Sequence, residues 1–181
     1  DINNVILNLK EKNYYITDIT SKIYTRNPPG PFTTSTLQQS ASSKLGFGAS
    51  RTMQIAQRLY QGIEINGETK GLITYMRTDG TNISKEAIPL FREYIDDKFG
   101  KEYLPEQPNN YSGKKAKNAQ EAHEAIRPTE ITNSPDNIKK YLSTDQYKLY
   151  DLIWSRALSS QMQSAKFDRK TILITSEDGK N

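Results

Sequence analysis

Cysteine is missing from all 181 residues, which removes disulfide frameworks and cysteine-based metal sites from consideration. Histidine occurs once, at position 123. No apolar run approaches the roughly 18 residues that a membrane-spanning helix needs, so a soluble chain with no membrane partner is expected. The opening residues lack the charged-then-apolar pattern of a secretory leader, and an intracellular protein is expected. Hydrophobic residues make up 34% of the chain and its mean hydropathy is −0.79. That is a polar composition, although 9% aromatics still leave material for a core.

What is present leans basic. Lysine and arginine number 25 against 21 acidic residues, for a net charge of +4. Such a balance suits a nucleic-acid partner, and it suits many proteins that bind none. The length suffices for one good-sized domain, or for one domain and part of another. The chain starts without methionine in DINNVILNL and stops at SEDGKN, where Asp178-Gly179 is a hairpin signal with no return strand. A piece of a longer protein is therefore expected, with partner strands missing.

Residues 4–9 and 14–25 read as two strands around a polar turn, and 170–175 (KTILIT) as another. PPGP at 28–31 forbids regular structure between them and the next segment. The expected fold is mainly α with β. Residues 33–163 form a helical, winged-helix-like domain inserted between strands of one sheet, which 1–32 and 164–181 supply. Within the insert, Leu37, Ala41 and Leu45 lie four apart and predict a helix over 34–45, ended by Gly46. Ser50 is the predicted N-cap of a second helix closed by Gly62. Asn66-Gly67 predicts a type I′ hairpin returning on Leu72–Thr74. Helix, glycine turn, helix, hairpin is the order of a winged helix-turn-helix.

Further on, Ile88, Phe91, Ile95 and Phe99 mark a helix whose start Pro89 delays or kinks. Residues 104–118 read as a polar loop, and NAQEAHEAIRP as a helix ending before Pro128. Ser134-Pro135 opens a short helix to Leu142. Ser143 and Gln146 form a capping box for a long helix to about Met162, with Tyr147, Tyr150, Ile153, Trp154, Ala157 and Leu158 on its apolar face.

GLITYMRTDGTNIS, residues 71–84, is where chemistry concentrates. By spacing alone, Tyr75 is more often an ordinary surface tyrosine. A phenol, with an ordinary pKa of about 10, is ionised to roughly one part in a thousand at neutral pH. A nearby cation would favour the phenolate and the charge developing on a phosphodiester under attack. Arg77 has the forked geometry for two phosphate oxygens, and in an extended segment residues two apart point to one side. His123 is more often a solvated or packed side chain than a catalyst, yet an imidazole can donate to phosphate. Lys114, Lys115 and Lys117 form a basic loop, which beside a phosphate site becomes a backbone contact.

GLITYMRTDGTNIS together with AQEAHEAIRPT resembles the two signature segments of the bacterial topoisomerase I family, the type IA DNA topoisomerases. ASRTMQIAQRLYQG and PPGPFTTSTLQQSAS also resemble that family's approach to its active-site tyrosine, so the likeness covers essentially the whole chain. The resemblance implies that Tyr75 attacks one DNA strand and becomes linked to its 5′-phosphate, with Arg77 positioning the scissile phosphate. It implies a phosphate contact for His123 and supporting roles for Thr74 and Asp79. Single-stranded DNA and the remaining domains of the parent enzyme, including the TOPRIM domain, are the implied partners of a monomer in the bacterial cytoplasm, at the nucleoid. The strands become part of the family's arch domain.

Some features depart from the pattern. The Mg²⁺ that the family uses is held by a glutamate, a lysine and a D-x-D group of the TOPRIM domain, and no D-x-D occurs here, only the adjacent Asp96-Asp97. No metal ligand is assigned to this chain, and the isolated chain is expected to bind single strands without cutting them. Gly80 stands where many relatives have serine, and the INGETK hairpin is longer than in some. Two other readings compete. One is a non-enzymatic winged-helix module reading duplex DNA through Arg51 and Arg58. The other is an adaptor docking a partner on the 147–158 stripe.

Overall fold

A computed structural model describes residues 2–10, 12–111 and 124–176, which fall into two compact units of mixed α and β structure. One runs from Asn27 to Ser164; the other joins the described residues before Asn27 to those after Ser164. Among the described residues, no helix is long and apolar enough to cross a membrane.

The second of these units holds the first correction. Residues 4–9 are not a strand but part of helix α1 (Ile2–Lys10). Ile2, Val5, Ile6 and Leu9 fall at i, i+3, i+4 and i+7, and that period outweighs their β-branched character. Strand β1 (Tyr14–Arg26) then pairs antiparallel with β4 (Ala165–Ser176) in a two-stranded ribbon. The register shifts between Ile16 and Asp18, a bulge that makes Thr17 the extra residue. Its consequence is a change of parity. Ile16 lies opposite Ile174 and Ile19 opposite Ile172, so isoleucines three apart share one face.

The unit from Asn27 to Ser164 contains every buried hydrophobic side chain among the described residues. Helix α2 (Thr34–Leu45) starts at a capping box between Thr33 and Thr36. It ends at Gly46, whose φ of 68° is the left-handed conformation glycine adopts cheaply. Helix α3 (Ala49–Gln61) is capped by Gly48, not Ser50. The Thr52 N–H already reaches the Gly48 carbonyl at 2.9 Å, which places Ser50 inside the first turn. Strands β2 (Ile63–Ile65) and β3 (Glu68–Lys70) form the predicted hairpin, with φ of 52° at Asn66 and 85° at Gly67.

The return strand is not Leu72–Thr74, which pairs with the rest of the unit instead. Ile73 bridges Pro128, Leu72 N–H donates to Leu59 (2.8 Å), and Thr74 N–H donates to Arg127 (2.9 Å). Helix α4 (Ala87–Phe99) begins before Pro89. The proline occupies the first turn, where its missing N–H leaves no intrahelical bond unmade. The predicted helix over 118–127 is corrected at its end: Glu124, Ile126 and Pro128 are in bridges with Asn82, Phe32 and Ile73. Pro128 disfavours a helical Arg127, and these three pairings satisfy the extended backbone. The rest of that predicted helix lies outside the described residues.

Helix α5 (Pro135–Ile138) continues in a 3₁₀ turn to Tyr141. Helix α6 (Thr144–Ser160) opens on the Ser143–Gln146 capping box and packs against α2 and α3. Its buried face carries Leu149, Tyr150, Ile153, Trp154, Ala157 and Leu158, whereas Tyr147 is only half-buried. Tyr150 donates its hydroxyl to the Asn133 carbonyl (2.7 Å), and Trp154 donates Nε1–H to that of Ile131 (2.9 Å). Burial pushes the Tyr150 phenol above its ordinary pKa, with Glu130 and Tyr94 acting in the same direction.

Candidate functional site

Residues 75–79 alternate between solvent and core. Met76 and Thr78 are buried, while Tyr75, Arg77 and Asp79 are exposed. Tyr75 shows 48% of its surface against 1% for Met76, so the phenol is presented outward on a backbone anchored from below. The alternation leaves both Tyr75 and Arg77 exposed to solvent, while bends at Thr74, Met76 and Arg77 keep the segment from being the straight strand that the two-residue spacing assumes.

The segment is held on both sides of the tyrosine. After it, Thr34 at the start of α2 donates its hydroxyl to the Met76 carbonyl (2.8 Å) and accepts the Thr78 N–H (2.8 Å). The Thr34 N–H also donates to the Thr78 carbonyl (2.9 Å). Before it, the Thr74 hydroxyl donates to the Ala125 carbonyl (2.7 Å) and accepts the Arg127 N–H (3.0 Å). Such bonds, each worth about 0.5–1.5 kcal/mol net, fix the backbone while leaving the side chain between them unburdened. The Tyr75 hydroxyl has no hydrogen-bond partner among the described residues. Its ring meets Tyr60 edge-on, centroids 5.4 Å apart.

A brace that the spacing did not reveal lies behind Thr74. Arg127 is largely buried and pairs its Nε–H with the Glu124 carboxylate (2.5 Å). It also donates to the Pro128 carbonyl (2.8 Å). The same Glu124 carboxylate accepts the Ser84 N–H (2.7 Å), so one ion pair links 124–128 to the approach to α4. The one sequence cue was Pro128, which forces an extended conformation on Arg127.

The other predicted residues divide. Thr74, Tyr75, Arg77 and Asp79 come together on one segment, and Asp79 lines a shallow pocket with Thr33, Thr34 and Ser35 at the start of α2. Arg51 lies on α3 with its guanidinium over the Phe47 ring, 4.7 Å from the centroid, and paired to Asp145 at 2.5 Å. It is therefore already engaged. Lys114, Lys115, Lys117 and His123 lie outside the described residues. Among the described residues, no group of three histidines or carboxylates is arranged to hold a metal ion. The described residues of this site do not fit the implied Mg²⁺.

The family model described as DNA topoisomerase matches residues 1–181. The chain is 52% identical to DNA topoisomerase 1 of Rickettsia felis over 170 residues, covering 94% of this chain and 22% of that protein. Against DNA topoisomerase 1 of Haemophilus influenzae the identity is 48%, covering 94% of this chain and 18% of the relative. Among solved structures, the full-length topoisomerase I of Thermotoga maritima matches with a TM-score of 0.83 and 39% identity, over 99% of this chain and 28% of that one. The chain thus spans about a fifth of the curated relatives that it matches.

Proposed function

The chain belongs to the bacterial type IA DNA topoisomerase family, and from that premise we propose that Tyr75 is the nucleophile with which the parent enzyme opens one DNA strand. The observation that carries this reading is the exposed, unpartnered Tyr75 hydroxyl on a backbone clamped by Thr34 and Thr74. A nucleophile must reach a phosphorus atom in the solvent and be held still while doing so.

In the proposed reaction the Tyr75 oxygen forms a bond to phosphorus, and the bond from phosphorus to the 3′ oxygen breaks. The phenol loses one proton and the departing 3′ oxygen gains one, leaving a 3′-hydroxyl and a 5′-phosphotyrosyl link. Attack by that hydroxyl reverses the step, so the energy of the broken phosphodiester is retained and resealing needs no ATP. Arg77, exposed two residues further on, donates to the non-bridging phosphate oxygens as charge builds on them. Strand passage between cleavage and resealing relaxes underwound DNA. His123 serves as a phosphate contact, and the helical unit acts as a winged-helix-like strand gate. The Mg²⁺ ligands belong to other domains of the parent, so the chain by itself binds single strands without cutting them.

The competing reading as a duplex reader draws on the order α2, α3, hairpin. Of its two named contacts, Arg51 is paired at the surface to Asp145, and Arg58 has no ion-pair partner among the described residues. Affinities for a single-stranded oligonucleotide and for its duplex, measured across a salt series, separate the two. Tighter single-strand binding with a shallow slope is the expected result. Duplex preference with a steep slope would overturn the strand-gate reading.

A further inference from the structure

Beside Arg77 lies a groove whose other lining residues the cleavage chemistry does not use. It is lined by Ser50, Gln54, Gln57, Arg58 and Gln61 on α3, by Gln38 on α2, and by Arg77. The α3 residues fall at 50, 54, 57, 58 and 61, one face of a helix. Leu59 and Ile55 on the opposite side are buried. Among the described residues, no carboxylate lines this groove.

Its polar groups are uncommitted. Among the described residues, neither Arg58 nor Arg77 has an ion-pair partner, and none of the four glutamine amides has a hydrogen bond. Arg51, on the same helix, shows the contrast, being taken up by Asp145 and Phe47. Two free guanidiniums without an acid call for a polyanion. Four free amides call for more than charge, since each offers both donors and an acceptor and so matches the edges of unpaired bases. A ligand that presents regularly spaced anions together with hydrogen-bonding edges is a single strand of nucleic acid.

We infer that this groove is a strand-binding track, in which Arg58 holds a backbone phosphate and the Gln54, Gln57 and Gln61 amides contact the bases of the strand that Tyr75 attacks. The inference rests on the strand-cleavage reading and extends it from the scissile phosphate to the flanking nucleotides. Arg77 lines the groove beside α3, which joins the track to the segment that carries Tyr75. From Ser50 to Gln61 the helix rises about 16 Å, enough for up to about five stacked nucleotides. Tyr60, next to the groove residue Gln61 on α3, meets Tyr75 edge to face, and the pair offers an aromatic surface for a base.

The test uses the chain with a short fluorescent single strand, its duplex, and an abasic strand of equal length, each across a salt series. Arg58→Ala is expected to weaken single-strand binding several-fold at low salt and to reduce the slope of log affinity against log salt by about 0.7. The Gln54→Ala/Gln57→Ala pair is expected to leave that slope unchanged and to remove the preference for the base-bearing strand over the abasic one. Arg58 and Gln54 are exposed and Gln57 is half-buried, and unchanged melting temperatures confirm that both variants fold. If the unsubstituted chain prefers single strands while both variants match it in affinity and slope, the track is refuted and the cleavage reading stands. Equal binding of base-bearing and abasic strands by the unsubstituted chain refutes the role of the amides. Preference of the unsubstituted chain for duplex refutes the cleavage reading, and the track falls with it.

Discussion

Ile153 in the helical unit is completely buried, whereas Ile16 in the ribbon shows 60% of its surface. The contrast holds throughout: α2, α3, α4 and α6 bury one face each, while residues 14–26 of β1 are exposed along their whole length. The helical unit closes a core around Leu59, Ile73, Phe91 and Tyr150 and can therefore hold a segment such as 74–79 in a fixed shape. Among the described residues the two-stranded ribbon has no buried hydrophobic side chain, and such a ribbon is marginal by itself. Rigidity at Tyr75 is thus a property of the unit with the core, and substitutions in the two units should behave differently.

The largest difference is expected between core and ribbon. Trp154→Ala removes a buried ring that meets Tyr94 edge-on at 5.6 Å and donates to the Ile131 carbonyl, and should cost about 3–5 kcal/mol in urea unfolding. Ile19→Ala in the ribbon should cost less than about 0.5 kcal/mol by the same measurement. Equal costs would break the comparison.

Next comes the clamp. Thr34→Ala leaves the Met76 carbonyl and the Thr78 N–H without their partner, an expected loss of about 1–3 kcal/mol. Faster hydrogen exchange at Thr78, with Thr34→Ser restoring protection, would show that the effect is local to the tyrosine segment. Ser143→Ala removes the N-cap of α6 and should cost about 1 kcal/mol, read from the shift of the urea midpoint.

The smallest effect at neutral pH is the Tyr150 titration. Its folded pKa is raised above the ordinary 10.0, so the folded state keeps a proton that the unfolded state gives up. Stability should therefore be independent of this group below pH 10, and should fall as pH rises beyond it. Tyr150→Phe should flatten that alkaline limb in a pH series of melting temperatures; an unaltered limb would assign it to other groups.

Local signals in the sequence survived into the structure where the chemistry is local. The Ser143–Gln146 box, the Asn66-Gly67 turn and the Gly46 cap each depend on residues within a few positions of one another, so spacing suffices to find them. The spacing of Tyr75 and Arg77 likewise agrees with the exposure of both residues. What was not legible depends on distant partners. Glu124–Arg127 reads as helix because alanine and glutamate favour one, yet pairing with Phe32, Ile73 and Asn82 draws it out straight. Thr34 lies some forty residues from the segment that it clamps, and nothing near it in sequence signals that bond. The N-terminal helix is a different failure: its i, i+3, i+4, i+7 period was present in the text, and β-branched composition obscured it.

The central claim concerns the Tyr75 oxygen, and a covalent adduct tests it most directly. This chain would replace the matching segment of the Thermotoga maritima topoisomerase, and the chimera would be incubated with a single strand labelled at its 3′ end and then denatured. A 3′ label is required because the tyrosine retains the 5′-phosphate of the downstream piece. The account predicts labelled protein, with the nucleotide mapped by peptide analysis to Tyr75, and none in Tyr75→Phe. Label that persists in Tyr75→Phe, or that maps to another residue, would contradict it.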